Sequence, residues 1–148
     1  MVFRMNIAIL AGAALLASPP LPVSAQEAAP AASPAISMEL NGLEPAGGGC
    51  RLTFVVSSGL SVDIAKAVYE VALFNKAGQV ERLMTLDFQS LPAGRTRVRQ
   101  FDLGDLACEA VSRILVNDAT ECAGEGVAPA ACMRDLATRT ATEVGFGS

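Results

Sequence analysis

From Ile36 onward the chain alternates apolar and polar residues in short runs, and the alternation is that of strands. In CRLTFVV (50–56), Cys50, Leu52, Phe54 and Val56 point one way and Arg51 and Thr53 the other, which predicts a half-buried strand. AVYEVALF (67–74) is rich in branched and aromatic residues and reads as another strand. NKAG (75–78) marks a turn, and QVERLMTLDF (79–88) is the return arm of a hairpin. ISMELNGL (36–43) predicts a short first strand. After the break at Pro92 and Gly94, RTRVRQFDL (95–103) predicts a fifth strand. VSRILVN (111–117) predicts a sixth, with Ile114 and Val116 facing the core. LSVDIAKAV (60–68) fits helical spacing as well as strand spacing.

The tail is less regular. GEGVAPAACMRDL contains a helical turn between Ala128 and Leu136, and ATRTATEVGF (137–146) closes the domain as a polar edge strand. Six or seven short strands with no strand–helix–strand alternation make the fold class mainly β. The expected architecture is a small antiparallel β-sandwich, immunoglobulin-like, over residues 36–148. A core of this size is marginal alone, and cross-links would help.

The N-terminus changes the picture of where this fold works. Arg4 precedes the apolar run IAILAGAALLA, Pro19-Pro20 closes it, and Val23 and Ala25 are the small residues of a cleavage site. Residues 1–25 therefore read as a secretory signal peptide cut after Ala25. The apolar run is shorter than the about 20 residues needed to span a bilayer. No cysteine stands at the cut to suggest a lipid anchor, and no Arg-Arg pair marks a twin-arginine signal. QEAAPAASPA (26–35) reads as a flexible Ala/Pro-rich leader. Without Arg4 the chain holds 10 basic against 15 acidic residues, a net charge of −5. This balance argues against nucleic acid as a partner and gives no pull toward an anionic membrane. The implied location is the periplasm.

Four cysteines, Cys50, Cys108, Cys122 and Cys132, all follow the cleavage site. An even number in an oxidising compartment implies two disulfides, with three possible pairings. The sandwich topology favours Cys50–Cys108 and Cys122–Cys132. In that topology the second strand and the penultimate long strand run in the same direction on opposite sheets, so Cys50 and Cys108 reach one end of the core. Cys122 and Cys132 are left to close a short loop. Intervals of 57, 13 and 9 intervening residues do not fit the close pairs of a zinc site, so no metal is expected.

The chain has no histidine. That removes the Ser-His-Asp triad, the HExxH zinc site and the usual means of making a reactive thiolate. Gly47–Gly49 are followed by no Gly-Lys-Ser/Thr, so they are not a phosphate loop; they let the chain turn tightly into the Cys50 strand. Asp102/Asp105 and Asp118/Glu121 are carboxylate pairs of the kind any acidic chain carries. No cofactor and no catalytic residue are expected, and the chain is read as a non-catalytic, protein-binding or envelope accessory module whose partner is another envelope protein. Arg95, Arg97 and Arg99 fall on one face of the fifth strand and offer an alternative, a small-anion site. The competing reading is a charged, solvated edge strand.

The segments MELNGLEP, GGCRLTFVV, EVALFNKAGQVERLMTLDFQSLPAGRTRVRQFDL, ACEAVSRILVND and GEGVAPAACM resemble an uncharacterised alphaproteobacterial exported family that carries the label "Tat pathway signal sequence domain protein". The resemblance runs from about Met38 through most of the chain. This signal lacks the paired arginines behind that label. What the resemblance implies is a bacterial exported protein; it brings no activity and no site residue.

Overall fold

A computed structural model describes residues 34–148. The expected signal peptide over 1–25 lies outside the described residues, as does the leader apart from Pro34 and Ala35. Eight strands follow: β1 (Ile36–Ala46), β2 (Gly49–Ser58), β3 (Ile64–Phe74), β4 (Val80–Leu91), β5 (Thr96–Gly104), β6 (Arg113–Ala123), β7 (Leu136–Thr140) and β8 (Gly145–Gly147). They form two four-stranded sheets, ordered β5-β2-β1-β7 and β4-β3-β6-β8. The fold is a β-sandwich, and β1-β2-β5 facing β4-β3-β6 has the strand order of an immunoglobulin-like domain. No helix of the described residues is long and apolar enough to cross a membrane.

The alternation in β2 is realised without exception: Cys50, Leu52, Phe54, Val56 and Ser58 are buried and the residues between them are half-buried. Facing them, β3 contributes Ala67, Tyr69, Val71 and Leu73, β4 contributes Leu86, Phe88 and Leu91, and β6 contributes Ile114 and Val116. Phe54 lies at the centre of an aromatic group, with ring centroids 5.4 Å from Phe88, 5.5 Å from Phe146 and 6.0 Å from Phe101. Edge-to-face geometry of this kind adds to the burial of the rings themselves.

The glycine run is a hairpin. Gly47 and Gly48 both have positive φ, 55° and 76°, as a two-residue type I′ turn requires. Gly49 pairs with Gly104. A Cβ on Gly49 would stand 1.9 Å from the Leu103 carbonyl oxygen, so β2 and β5 approach here only because no side chain intervenes.

Both disulfides join the pairs expected. Cys50–Cys108 has Cα atoms 4.9 Å apart and Cys122–Cys132 has them 5.8 Å apart. Cys108 opens a short 3₁₀ turn, Cys108–Ala110, between β5 in one sheet and β6 in the other. Cys122 lies within β6 rather than beyond it, because that strand continues past Asn117 to Ala123. On the chain-entropy account the longer loop stabilises by roughly 4 kcal/mol and the shorter by roughly 3 kcal/mol.

The tail departs from expectation in three ways. The helical turn is shorter, a 3₁₀ turn over Pro129–Cys132. The single closing strand is two strands, β7 beside β1 and β8 beside β6, and both pairings are parallel, so the sandwich is not wholly antiparallel. The reason is geometric. After β6 the chain first returns along the edge of one sheet. A turn held by the Thr140 and Thr142 hydroxyls, each accepting a backbone N–H, then delivers three residues to the other. The ambiguous stretch from Leu60 resolves as a loop and then β3, whose irregular register at Ile64–Val68 accounts for its mixed spacing.

Tyr69, the chain's single tyrosine, is fully buried and donates its hydroxyl to the Cys132 carbonyl at 3.1 Å. Burial pushes its pKa well above the ordinary 10.0. The folded state therefore keeps the phenol protonated at pH values where the unfolded chain would ionise it. Stability is fully present below about pH 10 and falls as pH rises beyond it. Absorbance at 295 nm follows this one residue, and it should report tyrosinate only as the fold is lost in alkali. The Tyr69→Phe variant, which leaves the Cys132 carbonyl unpaired, should be less stable by about 1–2 kcal/mol in urea.

Candidate functional site

Of the three arginines of the stripe, Arg97 and Arg99 lie in β5, an edge strand, and Arg95 immediately precedes it. β5 and β4 end their respective sheets on the same side of the sandwich. Along β5, Arg97 and Arg99 share the inner face with Phe101 and Leu103, while Thr96, Val98, Gln100 and Asp102 point outward. Arg99 reaches across the gap. Its Nε donates to the Phe88 carbonyl at 2.7 Å, its Nη2 to the Ser90 carbonyl at 3.0 Å and its Nη1 to the Val98 carbonyl at 3.2 Å. The two β4 carbonyls flank Gln89, which takes a positive φ of 59° and whose N–H is held by the Asp87 carboxylate at 2.7 Å. At the other end of the seam Arg82 of β4 donates to the Gly104 carbonyl of β5 at 3.0 Å. Two arginines thus lace the open side of the sandwich by capping edge carbonyls, an arrangement that blunts an edge against pairing with other chains.

Arg95 stands exposed just before β5 and Arg97 is half-buried within it. Neither has a carboxylate within 4.0 Å among the described residues, in contrast to Arg51, Lys66 and Arg139. The carboxylates noted in the sequence are dispersed. Asp102 accepts two bonds from Arg51, 2.6 and 3.0 Å long; that bonding holds its carboxyl below the usual range and raises the arginine. Glu121 pairs with Lys66 at 2.9 Å. Asp118 is exposed and accepts from its neighbour's N–H.

A second surface was not evident from the residues alone. On the outer face of the β4-β3-β6 sheet, Phe74 lies opposite Val80 and Arg113, and Ala72 lies opposite Leu83 and Leu115. Val80 and Leu83 are 56% and 55% exposed, among the most exposed large apolar side chains described. Phe74 and Leu115 are half-buried. The Arg113 guanidinium covers the Phe74 ring at 4.1 Å from its centroid, a cation–π contact. A signal for this strip exists in the sequence: VALF (71–74) and ILV (114–116) are apolar without interruption, which in a strand makes both faces apolar.

If Arg99 is a clamp, its loss should be felt in stability. Arg99→Ala should lower the urea midpoint by an amount equivalent to about 1–2 kcal/mol, whereas Arg97→Ala should stay within about 0.5 kcal/mol of the parent. Equal effects of the two would contradict the clamp.

No protein-family model and no curated protein sequence matches the chain. Among solved structures, the Salmonella enterica trimeric lipoprotein SadB is similar to it with a TM-score of 0.42 and 15% identity, over 47% of this chain and 40% of that one. The two disulfides, which use all four cysteines, mark the chain as a protein of an oxidising, extracytoplasmic compartment.

Proposed function

We propose that this chain is an exported periplasmic protein without catalytic activity that binds another protein, as an accessory module of the cell envelope. The observation that carries this reading is the apolar strip on the outside of a disulfide-clamped sandwich, in which Val80 and Leu83 are exposed, Leu115 and Phe74 half-buried and Ala72 covered between them. Contiguous exposed apolar surface on a soluble domain marks a contact site more often than chance. The absence of histidine, and the engagement of Asp102 and Glu121 in ion pairs, support a binding role over acid–base chemistry.

A photo-crosslinking residue placed at Leu83 in cells should form protein adducts, while the same residue at Ser57, on the outer face of the opposite sheet, should not. Equal labelling at both positions, or none at either, would count against the strip as a contact site.

The second reading, binding of a small anion, is favoured by Arg95 and Arg97 lacking carboxylate partners beside Arg99. Sulfate or phosphate should then raise the melting temperature, and Arg97→Ala should abolish that rise. A rise unchanged by Arg97→Ala would remove the seam as its source.

A further inference from the structure

The strip is more than apolar: it is graded in charge along the strands. Three rows cross β6, β3 and β4. The first is Arg113–Phe74–Val80, the second Leu115–Ala72–Leu83 and the third Asp118–Glu70–Thr85. Along β6 and β3 the face is therefore basic at one end, apolar in the middle and acidic at the other; on β4 the exposed Glu81, in the bulge beside Val80, accepts from the Asn75 amide at 3.1 Å. Arg113, Glu70 and Asp118 have no oppositely charged partner within 4.0 Å among the described residues. Glu70 accepts only from the Asn117 amide, and Asp118 from the N–H of Ala119.

Such a face is complementary to itself. Consider a two-fold axis lying in the face and running across the strands through Ala72. It leaves the apolar middle row over its own counterpart. It exchanges the outer rows, which each lie two residues from Ala72 on β3, about 6.6 Å along the strand. Arg113 of one copy then faces Asp118 of the other, and the same contact recurs on the far side of the axis. Val80 and Leu83, otherwise in water, are covered in the same step. An isologous pairing of this kind needs one patch that matches itself under a two-fold, and opposite charges at its rim set the register.

From this gradation we infer that the outer face of the β4-β3-β6 sheet docks a second copy of this chain, forming a two-fold dimer. The inference rests on the strip being a protein-contact site. It goes further by naming the occupant and the pairing of Arg113 with Asp118 across the axis.

The test uses sedimentation of the oxidised protein. The parent should sediment as a dimer, and Leu83→Arg should yield a monomer with an unchanged far-UV circular dichroism spectrum. Arg113→Glu and Asp118→Arg each place like charges at both rim contacts, so each alone should weaken self-association at least tenfold. Mixed in equal amounts, the two variants restore opposite charges at both contacts, and the dimer should return. A parent that stays monomeric up to millimolar concentration would overturn the inference, as would a dimer indifferent to Leu83→Arg, or a mixture no tighter than either variant alone. The Leu83 crosslinks separate this from the wider reading. Adducts of twice the chain mass support the dimer. Adducts only with other proteins overturn the dimer and leave a binding role standing. No adducts at all would remove both.

Discussion

The covalent bond between Cys50 and Cys108 is the constraint on which the rest of this sandwich leans. After β5 the chain must leave one sheet and enter the other, and Cys108 sits at that crossing, one residue into the 3₁₀ turn before β6. Its partner is the second residue of β2, fully buried beside the Gly47-Gly48 hairpin. One cross-link thus ties the crossover to the central strand of the opposite sheet. That sets where Ile114 and Val116 enter the core. It also restricts a loop of 58 residues in the unfolded chain, the larger entropic effect of the two bridges. The second bridge does a local version of the same work, with Tyr69 fastening the Cys132 backbone to the core from β3.

The two sides of the sandwich are finished differently. On the β4–β5 side, guanidinium groups stand in for a missing strand: Arg99 and Arg82 satisfy carbonyls that an edge leaves open. Such bonds are charge-assisted and directional, so two long side chains can hold two sheet edges in register. On the β7–β8 side the chain itself does the finishing, with a short strand added to each sheet. An acidic protein that gathers four of its arginines along one seam is using them first as structural donors; Arg95 and Arg97 are the members left available to solvent.

The apolar strip sits apart from both seams. Sheet faces of antiparallel domains are ordinarily polar on the outside, and the face of the other sheet is mostly so, with Thr53, Ser57, Thr96 and Gln100 around one apolar pair, Val55 and the exposed Val98. Leu83, Val80, Leu115 and Phe74 break it. Their cost is borne in water unless something covers them, and the basic-to-acidic gradation along the same face makes a second copy a fitting cover.

Period-two alternation in the residues determined β2, because a strand with one buried face has to place apolar groups at every second position; branched and aromatic content and the NKAG turn determined β3 and its hairpin with β4. The even cysteine count, in a chain whose N-terminus reads as an export signal, pointed to two disulfides, and the order of strands in a sandwich was enough to pair them. The glycine run announced its turn, since positive φ at two successive positions is open to few other residues. Other features only the tertiary structure decided. Arg99 is a clamp because Gln89, on another strand and with positive φ, sits between two β4 carbonyls that converge on one guanidinium. The tail divides between two sheets in parallel because its partners, β1 and β6, lie far away in sequence. Parallel edge pairing leaves little trace in a polar, threonine-rich segment. The charge gradation across Arg113, Ala72 and Asp118 exists only once register sets three distant segments side by side, and register is a property of the folded sheet rather than of any one strand.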